Sequence, residues 1–263
     1  MLNTVARVGK VLKLFTAQRP EWGVTEVASA LSLPKSNAHD MLISLAGIGL
    51  LERLPGGRYR LGWRVLAMSR NLVEADGFQR RAGSVVTCIA RRLGQAASVA
   101  AWDGRRIVCV AASGRPVGIE LAERAPGVRL PGHSTALGKM LLAHRVWDEV
   151  EERATVDGLP AFTDFTVGSL EDLRLQLNEA RRIGVSYDFE ENHPGICCVA
   201  APVRDASLRV VAALSISMPT ATLHRAQPQY GRAVSVAAHR LTGMLASSSS
   251  SSGGSQPTVA VAA

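Results

Sequence analysis

The first third of the chain carries apolar residues at the spacing of an α-helix. Asn3 to about Gln18 predicts one helix, and a short helix with Thr25 as its candidate N-cap follows and is broken at Ser32-Leu33-Pro34. A third helix is predicted from Lys35 to Gly47 or Gly49. Its apolar side chains form one stripe: Ala38, Met41, Leu42 and Leu45. This pattern predicts a small three-helix core.

The opposite face of the third helix is polar and has no bulky apolar side chain. It carries Ser36, Asn37, His39, Asp40 and Ser44. Such a face suits a helix that offers hydrogen-bonding groups to base edges in the major groove of DNA. Two strands, Leu50–Leu54 and Arg58–Leu61, are predicted across the turn Pro55-Gly56-Gly57. The whole stretch predicts a winged helix-turn-helix, although the same elements also occur in ordinary small α/β subdomains.

The pattern changes after the wing. Residues 63–83 predict a linker helix, residues 84–245 a second domain, and the low-complexity residues 246–263 a disordered tail. The predicted strands of the second domain are Ala96–Trp102, Ile107–Ala112, Val117–Arg124, Gly195–Val203 and Arg209–Met218. Its predicted helices are Val85–Leu93, His133–Ala143, a helix between Ser169 and Gly184, and Thr220 to about Leu245. This order predicts an α+β domain in which helices flank one antiparallel sheet.

Charge is distributed unevenly along the 263 residues. The net charge is +8, and up to Arg81 there are twelve Lys or Arg against six Asp or Glu, which leaves +2 for the remainder. A basic excess in the predicted reader domain fits contacts with phosphates, although surface charge also varies along ordinary chains. The apolar runs are too short to cross a bilayer, and no signal peptide is recognisable. We therefore predict a cytoplasmic protein with no membrane partner.

The four cysteines do not have the spacing of a metal site. Cys88, Cys109, Cys197 and Cys198 contain no CxxC pair, and neighbouring residues on a strand face opposite sides. We predict free thiols, no metal, no cofactor and no catalytic residue. Two alternatives remain open: Cys197 and Cys198 as a redox switch, or Cys198 as the nucleophile of a small hydrolase with His193 or His133 as base.

The run LPKSNAHDMLISLAGIGLLERLPGGRYRLG at 33–62 resembles the DNA-binding domain of the IclR family of bacterial transcription regulators. Three further motifs resemble the family's GAF-like effector-binding domain. They are LPGHSTALGKMLLA at 130–143, GVSYDFEENHPGICCVAAPV at 184–203 and RVVAALSISMP at 209–219. The resemblance implies a winged helix-turn-helix domain at 1–62, a linker helix that helps the protein dimerise, and an effector-binding domain at 84–245.

The resemblance also implies the function and its residues. The expected DNA-binding residues are Lys35, Ser36, Asn37, His39, Asp40, Arg58 and Arg60. The expected effector-binding residues are Ala136, Leu137, Asp188, Ile196, Cys198, Ser215 and Ser217. A helix start, two hydroxyls and a thiol can bind oxygen atoms, so the implied ligand is a small carboxylic acid. The expected protein is a homodimer or dimer of dimers on double-stranded operator DNA. Family members usually carry an arginine where this chain has Asp40, which leaves the operator sequence open.

Overall fold

The computed structural model describes residues 3–104, 106–114 and 125–249. The chain divides into two compact units, Met1–Gly77 and Phe78–Ala263. The predicted strand Val117–Arg124 lies outside the described residues. The same holds for the predicted disordered tail from residue 250 onward.

The first unit is a winged helix-turn-helix. Its elements, in chain order, are α1 (Asn3–Leu14), β1 (Trp22–Gly23), α2 (Val24–Ala30), α3 (Lys35–Gly47), β2 (Leu51–Arg53), β3 (Arg58–Leu61) and α4 (Arg64–Asp76). The three strands form an antiparallel sheet in the order β1-β3-β2. The predicted helices and wing are confirmed, with β1 added to the sheet.

One core joins α1, α2, α3 and the wing. Its side chains include Val11, Val27, Leu42 and Tyr59, all almost completely buried. The start of α2 differs from the prediction. Gly23 precedes the helix and its N–H donates to Glu26 Oε2 at 2.7 Å, so Thr25 lies inside α2 and is not its N-cap.

The single helix predicted over residues 63–83 is two helices in the structure. Helix α4 ends at Asp76, Gly77 after it adopts the left-handed conformation (φ 59°), and α5 (Phe78–Leu93) begins with the next residue. A left-handed residue interrupts the helical hydrogen-bond ladder, and glycine adopts this conformation without strain. Ala82 and Val86 of α5 are buried in the core of the second unit. The last six residues of the predicted linker, 78–83, therefore belong to the second unit.

The second unit is an α+β domain built on one sheet. After α5 come β4 (Ala96–Trp102), β5 (Ile107–Ser113), β6 (Arg129–Leu130), α6 (Ala136–Leu142), α7 (Trp147–Asp157), α8 (Leu170–Ile183), β7 (Ser186–Phe189), β8 (Ile196–Arg204), β9 (Val210–Pro219) and α9 (Thr220–Ser249). The strand order is β6-β5-β4-β9-β8-β7, and every neighbouring pair is antiparallel. The predicted antiparallel sheet flanked by helices is confirmed.

Helix α9 departs from the prediction at two points. It continues to Ser249, so the first residues of the predicted disordered tail are helical. It also kinks at Ala226, shortly before Pro228, because proline lacks an N–H donor and its ring clashes with the preceding turn.

The two faces of the large sheet carry different helices. One face packs on α5 and α9 through residues such as Val199, Leu214 and Ile216. The opposite face packs on α6, α7 and α8 through smaller residues such as Ala200 and Ala213. Within the described ranges, none of the helices combines the length and hydropathy needed to cross a bilayer.

Candidate functional site

A cavity of about 60 Å³ lies in the second unit, on the face of the sheet that carries α6. All seven predicted effector-binding residues line it: Ala136, Leu137, Asp188, Ile196, Cys198, Ser215 and Ser217. Six further residues that were not predicted also line it: Ser98, Cys109, Leu130, Thr135, Asn192 and His193. The three sequence motifs, spread over residues 130–219, thus meet at one site.

The strand register explains why polar side chains meet in the cavity. Asp188 pairs with Cys198 across β7 and β8, and Cys198 pairs with Ser217 across β8 and β9. The Cys198 thiol donates to Ser217 Oγ at 3.2 Å. In an adjacent row, Ser98 pairs with Ser215, and their hydroxyl oxygens lie 3.1 Å apart. These groups form a hydrogen-bonding patch on an otherwise apolar sheet.

The start of α6 is held close to the segment before it. The Thr135 hydroxyl accepts from the Gly138 N–H at 3.0 Å and donates to the Pro131 carbonyl at 2.5 Å. A Cβ atom on Gly138 would lie only 2.5 Å from the Gly132 carbonyl oxygen, so only glycine permits this approach. The Ser186 hydroxyl also donates to the Ala136 carbonyl at 2.7 Å, which ties α6 to β7. The helix begins at Ala136 rather than at the predicted His133 because Thr135 is its N-cap.

Behind the cavity lies a buried cluster of charged side chains. Lys139 of α6 forms an ion pair with Glu191, and its ammonium also donates to Gln176 Oε1 at 2.6 Å. The backbone N–H of Glu191 donates to Asp188 Oδ1 at 2.8 Å. Burial raises the pKa of Asp188 to about 7. The positive charge of Lys139 acts against this shift, and the negative charge of Glu191 acts with it.

The sequence prediction omitted Lys139 and Glu191. The signal that could have found Lys139 is a lysine inside the apolar run of α6.

The loop after β7 forms another wall of the cavity. The Ser134 hydroxyl donates to Asn192 Oδ1 at 3.0 Å, and the Thr166 hydroxyl donates to the Glu191 carbonyl at 2.6 Å. Glu190 closes the loop, since its Oε2 accepts from the Gly195 N–H at 2.7 Å. These bonds fix the loop in position and bring His193 to the cavity.

Cys197 and Cys198 face opposite sides of the sheet. Cys197 is buried in the core against α5 and α9, and burial raises the pKa of its thiol, whereas Cys198 lines the cavity. This alternation separates the two thiols, and nothing in it favours the redox alternative. The hydrolase alternative needs a thiolate, whereas the Cys198 thiol donates a hydrogen bond to Ser217 Oγ, and His133 Nε2 lies 3.0 Å from the Pro160 carbonyl oxygen.

A larger cavity of about 250 Å³ lies beside the first and shares Leu130 with it. None of the predicted effector-binding residues lines it. Three of its charged side chains have partners, since Asp157 pairs with Arg129 at 2.6 Å and the Arg153 guanidinium lies 5.2 Å from the Trp102 ring centroid. The smaller cavity is the better candidate because several hydrogen-bonding groups converge on it.

In the first unit, the predicted reading face of α3 is open to solvent. Its exposed residues are Lys35, Ser36, Asn37, His39 and Asp40. Asp40 Oδ1 lies 3.7 Å from His39 Nδ1, so the aspartate is next to the histidine on the exposed face. The opposite side of the helix is buried through Ala38, Leu42 and Leu45, as the apolar stripe predicts.

The two predicted wing arginines have partners within the protein. Arg58 donates to the Glu21 carbonyl at 2.9 Å and lies 3.3 Å from Glu26 Oε2, so it ties the wing to β1 and α2. Arg60 pairs with Glu52 across the wing at 2.9 Å. Arg53, which was not predicted, is exposed and forms no ion pair with the described residues. It is the wing arginine most available to a phosphate.

A winged helix-turn-helix unit followed by a sheet domain with a polar-lined cavity defines a ligand-responsive DNA-binding regulator. The chain belongs to the IclR family of bacterial transcriptional regulators. Residues 72–242 match the family description "Bacterial transcriptional regulator IclR C-terminal", and residues 4–55 match "IclR helix-turn-helix domain".

Curated relatives and solved structures agree with this assignment. The chain is 34% identical over 232 residues to the HTH-type transcriptional regulator XynR of Escherichia coli K12, covering 86% of this chain and 90% of the relative. It is 31% identical to the regulator KdgR of Dickeya chrysanthemi, covering 83% and 72%. It also resembles the crystal structure of an IclR homolog from Microbacterium hydrocarbonoxydans complexed with 4-hydroxybenzoate. That likeness has a TM-score of 0.78 and 25% identity and covers 92% of this chain and 99% of the other.

Proposed function

We propose that this regulator binds double-stranded operator DNA through its first unit and changes its affinity for that DNA when a small carboxylic acid occupies the cavity. The observation that supports the effector site is the convergence of all seven predicted residues on one cavity. As a reader of operator DNA, the protein would act in the cytoplasm.

The chemistry of the cavity favours a small acid. Hydroxyl groups of Ser98, Ser215 and Ser217 can donate to carboxylate oxygens, and Ile196 and Leu137 supply apolar walls. A relative is complexed with an aromatic acid, 4-hydroxybenzoate. The cavity of about 60 Å³ is far below the several hundred Å³ that drug-sized ligands need, so we expect a short aliphatic acid to fit better.

The proposed reading surface is the exposed face of α3 together with the wing. Lys35, Ser36, Asn37 and His39 would reach base edges or phosphates in the major groove. Asp40 would be repelled by phosphates but can accept from the amino group of cytosine.

We also propose that the protein acts as a homodimer or as a dimer of dimers. Helix α4 and the residue before it expose large apolar side chains, with 76% of Trp63, 62% of Leu66 and 55% of Met68 accessible. A second copy of the chain would cover these side chains and would match the two-fold symmetry of a palindromic operator.

The reading surface is tested by titrating purified protein against its own upstream promoter DNA at fixed salt. His39→Ala and Arg58→Ala should both weaken binding, whereas Arg182→Ala, an exposed change in the second unit, should not. Because Arg58 also ties the wing to Glu21, its variant needs a thermal melt to show that the fold survives. If both variants bind as tightly as the wild type, the assigned surface is wrong.

The effector class is tested by adding acetate, propionate, lactate, benzoate and 4-hydroxybenzoate to the protein–DNA complex. At least one acid should change the DNA affinity severalfold, and Ser217→Ala should weaken that response. A response to peroxide that a Cys197→Ser, Cys198→Ser double variant abolishes would instead favour the redox alternative. DNA binding that no acid changes would contradict the carboxylic-acid proposal.

A further inference from the structure

Among its described lining residues, the cavity assigned to an anionic ligand has a buried acid and no Lys or Arg side chain. Among the described residues that line it, the groups able to ionise are Asp188, His193, Cys109 and Cys198. Asp188 is only 3% exposed, and it stands in register beside Cys198, which separates it from Ser217 in the same cross-strand row. A carboxylate ligand bonded to that row must therefore lie close to another carboxyl group.

The cation that faces Asp188 within the described part of the chain, Lys139, cannot also balance the charge of a bound carboxylate. Lys139 faces Asp188 from α6, but its ammonium is paired with Glu191 and bonded to Gln176. Lys139 does not line the cavity. The buried pair is neutral by itself, so an ionised Asp188 gives the cluster a net charge of −1, and an ionised ligand would make it −2.

Two carboxyl groups within hydrogen-bond distance in a buried site do not both remain ionised; they share one proton. On the basis of the proposed function, we propose that Asp188 couples effector binding to the uptake of a proton. The carboxylate enters together with one proton from solvent, and the neutral Asp188 carboxyl donates a hydrogen bond to it.

The geometry leaves Asp188 able to serve as that donor. The carboxyl accepts from the backbone N–H groups of Glu191 and Asn192, and in its protonated form it still has one O–H to donate beside the lone pairs that accept these bonds. Burial already raises the pKa of Asp188 to about 7, so the neutral form is well populated near neutrality. The residue thereby selects for a ligand that accepts a hydrogen bond at this position.

The test measures proton uptake when the full-length protein binds propionate, by titration calorimetry at pH 8 in phosphate and in Tris. These two buffers release very different heat on ionisation, so the difference gives the number of protons bound. We expect close to one proton per propionate. From a free-state pKa of about 7, binding should also be about tenfold weaker at pH 8 than at pH 6.

Three variants separate Asp188 from its neighbours. Asp188→Asn should bind propionate with no proton uptake and no pH dependence in this range. Glu179→Gln removes an exposed carboxylate of α8 that pairs with Arg182 away from the cavity, and it should keep both effects. Histidine side chains in general also change charge in this pH range, so His193→Gln is needed as a further variant. It should retain both the proton uptake and the pH dependence. If Asp188→Asn does not fold, the wild-type proton count decides alone.

Each outcome bears on a different claim. Propionate binding with no proton uptake and a flat pH profile would overturn the proton coupling and leave the proposed effector class intact. Loss of proton uptake in His193→Gln would assign the coupling to the histidine and refute the role of Asp188. If no acid of the panel binds at any pH, the carboxylic-acid effector fails and the coupling fails with it.

Discussion

The buried ion pair between Lys139 and Glu191 offers a sharp test of the energetics behind the cavity. Lys139→Met keeps the length and apolar stem of the side chain but removes its charge. Only 2% of the lysine side chain and 5% of the glutamate side chain are exposed. The variant therefore leaves a buried carboxylate without its counter-ion, which typically costs about 3–5 kcal/mol.

The structure favours the upper part of that range. Glu191 Oε2 has no hydrogen-bond partner among the described residues, so none of them supplies a second donor in place of the lost ammonium. For a unit of this size each kcal/mol corresponds to roughly 2–4 °C, so the thermal midpoint of the second unit should fall on the order of 10 °C.

The assay is thermal and urea unfolding followed by circular dichroism. Arg182→Met is the matched control, because Arg182 pairs with Glu179 on the exposed face of α8, where solvent screens the pair and its loss should cost little stability. The double variant Lys139→Met, Glu191→Leu should recover much of the loss, since no buried charge then remains. The reasoning is refuted if Lys139→Met costs no more than the control, or if the double variant is as unstable as the single one.

Three further predictions follow from other parts of the structure. Gly138→Ala places a Cβ atom 2.5 Å from the Gly132 carbonyl oxygen. It should lower stability by about 1–3 kcal/mol in urea unfolding and weaken acid binding. Since burial raises the pKa of Asp188 from 3.8 to about 7, the folded state binds the extra proton between these values and stability falls as pH rises. The free energy of unfolding should be about 2 kcal/mol lower at pH 8 than at pH 5.5, and Asp188→Asn should reduce this pH dependence. If the variant keeps the full pH dependence, the raised pKa of Asp188 is contradicted. Arg53→Ala should reduce the salt slope of DNA binding by about one, which an affinity series in salt would show, and an unchanged slope would exclude a phosphate contact.

Local signals predicted much of the fold. The helix after Ser169 is an example: the Ser169 hydroxyl accepts from the Asp172 N–H at 3.0 Å, and Gly184 ends the helix in the left-handed conformation. Strand β4 matches its predicted bounds because a short apolar run lies between turn residues. Such elements are specified by residues within a few positions of each other.

Other features depend on residues far apart in the chain. Lys139 and Glu191 are 52 residues apart, and Arg58 meets Glu21 across 37 residues, so no local pattern reveals either contact. Strand β7 was not predicted because its buried positions hold Ser186 and Asp188. They are polar because they face a cavity and α6, whereas a buried strand is recognised by apolar residues. The family resemblance located Asp188 where periodicity could not.

Along β8 and β9, alternate side chains face opposite sides of the sheet, and the two sides serve different purposes. Ile196, Cys198, Ser215 and Ser217 line the cavity, whereas Cys197, Val199, Leu214 and Ile216 hold the sheet against α5 and α9. Ligand preference and structural integrity are therefore encoded at interleaved positions and can vary separately. A library restricted to the cavity-facing positions would search for biosensors of new metabolites while leaving the scaffold on the far side of the sheet unaltered.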